Sequence, residues 1–149
     1  MKNKELLELA HAHKQAMVIH WNRFFPFAFF SLDGTAEHVS DCFLRLFGIA
    51  DSSLFLGKYN ILLDKENLRK KSMYAKIQKA FNGEKVTISN FSSPLKTFLD
   101  MGMLKEKPPQ LPPMTASLSP YYEHKKLNAI FFFIDTKGSK NEKQRTNNR

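Results

Sequence analysis

Three kinds of side chain in this sequence could do chemistry: histidines near the N-terminus, a single cysteine, and a few carboxylates and phenols in the middle. His11, His13 and His20 fall in one segment, and His13 and His20 are spaced to share a helix face. Two turns separate that pair and no acidic third ligand is evident, so they read as helix-surface histidines and no metal site is expected. Cys42 is the only cysteine, which excludes an intrachain disulfide framework and a cysteine-rich structural zinc site. Set between Asp41 and Phe43 at a helix start, it reads as a buried, inert thiol. Asp64 and Asp100 are acid–base candidates only by default. No Ser, His and Asp grouping, paired-carboxylate motif or phosphate loop is recognisable, so no catalytic residue is assigned and the chain is not expected to be an enzyme.

Binding residues are easier to name than catalytic ones. Phe27, Phe29, Phe47, Tyr59, Tyr74 and Ile77 either line an apolar cavity, with the two phenols as polar handles, or simply fill a core. The chain holds 14 Phe against one Trp and four Tyr, which points to a Phe-lined interior. An uncharged or fatty small molecule is the ligand such a cavity would take.

These side chains need a domain to position them. At 149 residues the chain fits one domain, burying roughly 68 to 70% of the surface of its unfolded form. No apolar run approaches the ~20 residues that span a bilayer and no secretory leader opens the chain, so the expectation is a soluble, cytoplasmic protein. The net charge is +9. Part of it lies after Asp135 and part in Arg69-Lys70-Lys71 with Lys76 and Lys79. This is either a solvated helix face with a disordered tail, or a footprint for nucleic acid or an anionic membrane. AIFFFI, residues 129–134, has no basic residue within it, which disfavours an aromatic nucleic-acid platform.

Taken in order, Asn3 can cap a helix with Glu5 in its first turn. Leu6, Ala10, His13, Met17 and Trp21 then form one stripe at helical spacing, to cover the domain's own sheet or to pair with a second copy. Residues 24–32 form an aromatic strand closed by Asp33-Gly34, a hairpin signal, with residues 35–39 returning. Phe25, Phe27 and Phe29 share one face of that strand, and Ala28, Phe30 and Leu32 the other.

A short helix at Ser40 or Asp41 ends at Gly48, and Asp51 caps a single turn ending at Gly57. From Leu68 a longer helix runs to Asn82-Gly83, with Met73, Tyr74, Ile77, Ala80 and Phe81 on one face. Residues 86–91 alternate as a strand. Pro94 opens a short helix through Leu99, in a long proline-rich connection that reads as functional or mobile. Two strands follow, residues 114–122 and 127–135, and residues 137–149 read as disordered.

The order of these elements resembles the PAS sensor family. So do the Asp33-Gly34 hairpin, the Phe43-to-Gly48 helix, the Leu54-Phe55-Leu56-Gly57 turn, the Tyr59-Asn60-Ile61 segment with Asp64, the helix closing at Gly83-Glu84, and the last strand ending in Asp135-Thr136. Asp41 stands where that family often has Asn. The resemblance implies an α+β fold: a five-stranded antiparallel sheet with short helices and one longer helix on one face, preceded by an amphipathic helix. It divides the chain into a flanking helix (1–24), a sensor domain (25–136) and a basic tail (137–149).

The function it implies is non-catalytic sensing or regulation in signal transduction, through a small apolar ligand or through dimerisation and partner binding. A homodimer would use the stripe from Leu6 to Trp21. The family's flavin–thiol chemistry needs an Asn-Cys-Arg-Phe-Leu segment that Cys42 does not sit in, and its haem sites use a histidine on the long helix, where this chain has none. Neither cofactor is expected. The alternatives are a basic nucleic-acid-binding protein and a small pocket enzyme of unknown reaction.

Overall fold

The computed structural model describes residues 2–91, 94–106, 110–112 and 114–135, with side chains from residue 12 onward. The tail expected to be disordered lies outside the described residues. Five strands form one antiparallel sheet in the order β2-β1-β5-β4-β3: β1 Phe27–Ser31, β2 Ala36–Val39, β3 Val86–Phe91, β4 Met114–Glu123 and β5 Lys126–Asp135. The helices are α1 Lys2–Trp21, α2 Asp41–Phe47, α3 Lys65–Arg69, α4 Lys71–Phe81 and α5 Leu95–Asp100.

The first and last strands lie side by side at the centre. Phe27 pairs with Phe133, Ala28 with Phe132, Phe29 with Phe131 and Phe30 with Ile130. Because successive side chains of a strand point to opposite faces, this register sorts the aromatics into two layers. Phe30 and Phe132 join Phe43, Phe47, Phe55 and Ile77 in the main core under the helices. Phe27 and Phe29 form a second cluster with Ala129, and Met17, Val18, Phe25, Phe131 and Phe133 pack against it. The expected facing of Phe25, Phe27 and Phe29 against Ala28 and Phe30 is what the structure has. Strands apolar on both faces require cover on both sides, and α1 contributes Met17 and Val18 to the outer one.

The β1–β2 hairpin turns at Asp33-Gly34, where Gly34 has φ of 94°. Its carbonyl accepts from the Ile61 amide at 3.0 Å, and the Asn60 side chain donates to the Asp33 carbonyl at 3.0 Å. The Tyr59-Asn60-Ile61 segment is thereby fastened to the hairpin. Ser40 caps α2: its hydroxyl accepts from the Phe43 amide at 3.1 Å and donates to the Phe25 carbonyl at 3.1 Å.

Two expectations are corrected. Asn3 lies inside α1, which begins at Lys2, and does not cap it. The helix expected from Leu68 is two helices: Asp64 caps α3 by accepting from the Glu66 amide at 3.0 Å, and Lys70, with φ −99° and ψ 85°, breaks the path before α4. The buried face of α4 is Met73, Ile77 and Ala80. Among the described residues, no helix is long and apolar enough to cross a membrane.

Candidate functional site

A cleft of about 620 Å³ opens between the Lys58–Arg69 stretch and α5. Tyr59 and Asp64 build its floor. Burial against Phe55 (ring centroids 5.2 Å apart) and Phe98 (5.2 Å) draws the Tyr59 ring inward, and its hydroxyl then reaches the Asp64 carboxylate at 2.5 Å. The same carboxylate accepts from the Thr97 hydroxyl at 2.5 Å. Counting the Glu66 amide, Asp64 takes three donors while almost wholly buried, so its polar oxygens are satisfied away from water. Burial, and then the charge of Asp64, push the Tyr59 hydroxyl well above its ordinary pKa, so it stays a neutral donor. Behind them Asn67, buried, donates to the Ile61 carbonyl at 3.1 Å.

The walls are mixed. Leu63 and Met101 supply apolar surface, and Lys58, Lys65, Arg69 and Lys96 stand around it with Glu66 and Asp100. Arg69 pairs with Glu66 at 3.3 Å. The two carboxylates named by default in the sequence, Asp64 and Asp100, both line this cleft. The oxygens of Asp64 are already taken by its three donors, an arrangement suited to anchoring α3 and α5 rather than to accepting a substrate proton.

The six residues expected to line one apolar cavity do not meet in one place. Phe47, Tyr59 and Ile77 lie in the main core, whereas Phe27 and Phe29 lie in the outer cluster across the sheet. Tyr74 turns its hydroxyl to the Leu62 carbonyl at 3.1 Å. Of the six, Tyr59 alone lines the cleft. The rings of the main core touch one another, Phe43 on Phe47 at 4.6 Å and Phe47 on Phe98 at 5.8 Å.

Of the stripe on α1, the Leu6 and Ala10 side chains lie outside the described residues. His13 is exposed, with Nδ1 3.1 Å from the Glu123 carboxylate of β4. Met17 packs on the outer aromatic layer. Trp21 lies edge-on to Phe24 at 5.9 Å and near Phe25 at 5.8 Å. Glu123 also accepts from the Tyr121 hydroxyl, and that bond first, then His13, holds its carboxyl below the usual range. Burial, followed by the bond to Glu123, pushes Tyr121 up to about 12. Sequence reasoning missed Lys14, which meets Glu37 of β2, and Thr97; a lysine off the apolar stripe and a threonine in a long connection carry no local signal of burial.

No protein-family model matches the chain, and no curated protein matches it. Solved structures do. The PAS domain of BvgS from Bordetella pertussis is similar over 92% of this chain and 98% of its own, at 13% identity and a TM-score of 0.54. A sensory box sensor histidine kinase from Vibrio cholerae is similar over 90% of this chain and 95% of its own, at 15% identity and a TM-score of 0.47. The PAS domain of an HTR-like protein from Haloarcula marismortui gives 90% and 97%, at 14% identity and 0.45. At such identities the likeness is one of fold, and the strand order β2-β1-β5-β4-β3 with helices α2 to α4 inserted between β2 and β3 agrees with it: the chain has the fold of a PAS domain.

Proposed function

We propose that the chain is a non-catalytic regulatory module of signal transduction that works through the surface formed by the end of α1, where a second copy of the chain docks. One observation carries this reading. Met17 and Val18 of α1 pack on the aromatic outer face of the sheet, yet Trp21 (40% exposed) and Phe24 (63%) remain open at the end of the helix. Single exposed apolar residues are ordinary, but Trp21 and Phe24, with ring centroids 5.9 Å apart and Phe25 beside them, form one aromatic patch next to the sheet layer and mark an interaction surface. The helix rests on the sheet through Met17 and Val18, so a change in the sheet is felt where the copies meet.

Native mass spectrometry of the freshly purified chain tests this, since one spectrum reports subunit count and any retained small molecule. A dimer without added mass is the expected result. A monomer at every concentration rejects the interface. A second reading, in which the domain senses a small ligand, is favoured by the cleft at Tyr59 and Asp64.

A further inference from the structure

We infer that the cleft between α3 and α5 is a binding site for a small amphiphilic anion, with an acyl or aryl body and a carboxylate or phosphate head. Its volume of about 620 Å³ falls within the range of small-molecule sites, roughly 300–1,000 Å³. Leu63, 72% exposed, and Met101, 46% exposed, stand on its walls, and an apolar body laid between them removes both from water.

Charge selects the head group. Lys58, Lys65 and Lys96 line the cleft, and among the described residues none of the three ammonium groups carries a hydrogen bond or ion pair. The acids of the cleft are mostly spent: Asp64 on Tyr59, Thr97 and the Glu66 amide, Glu66 on Arg69. Asp100 is the one lining carboxylate left to face three lysines. Ammonium groups gathered over apolar walls, with no partner of their own, favour an anion and penalise a cation.

The site is also built in advance. The Thr97–Asp64 bond of 2.5 Å ties α5 to the cap of α3, so the backbone segments that carry Lys96 and Lys65 are set across the cleft before anything binds, and only the lysine side chains remain to be ordered. It borders the ring-packed core through Tyr59 but opens outside it, and it is independent of the α1 surface proposed above. Loss of either leaves the other standing.

The test is an amide NMR titration of the full chain with sodium octanoate and with octyl phosphate, using 1-octanol and octylammonium as neutral and cationic controls. At least one anion is expected to shift amides in residues 58–66 and 95–101, with the controls several-fold weaker; whichever anion is preferred names the head group. The Lys65→Gln/Lys96→Gln variant, with an unchanged melting temperature as evidence of folding, should weaken the anion about tenfold. Any of four results overturns the site: octanol binding as well as octanoate, shifts confined to the core around Phe47 and Ile77, a variant that binds normally, or no binding up to about 10 mM.

Discussion

Lys14 of α1 is 4% exposed, and its ammonium sits on the Glu37 carboxylate of β2. One residue earlier, His13 reaches Glu123 of β4. Neighbouring positions on a helix point about 100° apart, so the two contacts hold α1 to β2 on one side and β4 on the other, with β1 and β5 between them. Met17 and Val18 follow one turn on and supply the apolar contact.

Removing one partner of a buried pair strands the other. Glu37→Gln should therefore cost about 1–3 kcal/mol in urea unfolding and speed amide exchange along α1. Lys14→Met/Glu37→Leu should cost less than the sum of its single changes, because neither partner is then left charged and alone. A neutral Glu37→Gln variant would show that α1 is held by its apolar contacts instead.

Asp64 links three elements through Tyr59, Glu66 and Thr97. Asp64→Ala loses a helix cap and leaves buried hydroxyls unpaired, an expected cost of about 2–4 kcal/mol. Thr97→Val removes a single donor, should cost about 1 kcal/mol, and should raise hydrogen exchange in α5 before any other element. Equal exchange in α5 of both proteins would remove Thr97 from the anchoring role.

A Cβ on Gly34 would lie 2.5 Å from the Asn60 Oδ1 atom, with φ already at 94°. Strain and steric overlap act together, so Gly34→Ala should lose about 1–3 kcal/mol. Adding Gly34→Ala to an Asn60→Ala background removes the Asn60 contact but leaves the strain and the closeness to Leu62, so a smaller loss there than in the wild-type background, read by chemical denaturation, measures the Asn60 overlap.

The Tyr121–Glu123–His13 chain sets a pH dependence. Glu123 has a folded pKa below its ordinary 4.5, chiefly through the Tyr121 hydroxyl. Its contribution is present above the unfolded value and is lost as pH falls through the folded one. Tyr121, raised from 10.0 to about 12, contributes fully below its unfolded value and loses that contribution as pH rises through about 12. Tyr121→Phe should move the Glu123 carboxyl back toward its ordinary pKa, read by carbon NMR of the side chain. An unmoved titration would assign the depression to His13 instead.

The legible parts of the fold were those written in local pattern. Alternation in residues 27–30 and 129–134 separates the two sheet faces, and Asp33-Gly34 marks the hairpin. The break at Lys70 was not legible, since no proline or glycine stands there and α4 starts without a side-chain cap. The cleft was half legible. Tyr59 and Asp64 were singled out, but for different tasks, and only the fold brings Thr97 to them from 33 residues away. Phe27 and Phe29 were grouped with Phe47 by residue type, although strand parity places them across the sheet.

The end of α1 is where the account is most exposed to test. Sedimentation equilibrium of the full chain, beside the Trp21→Ser/Phe24→Ser variant, reads it most directly. The expected result is a wild-type dimer and a monomeric variant of unchanged melting temperature. A wild-type chain that stays monomeric up to about 1 mM, or a variant that dimerises as the wild type does, would contradict it.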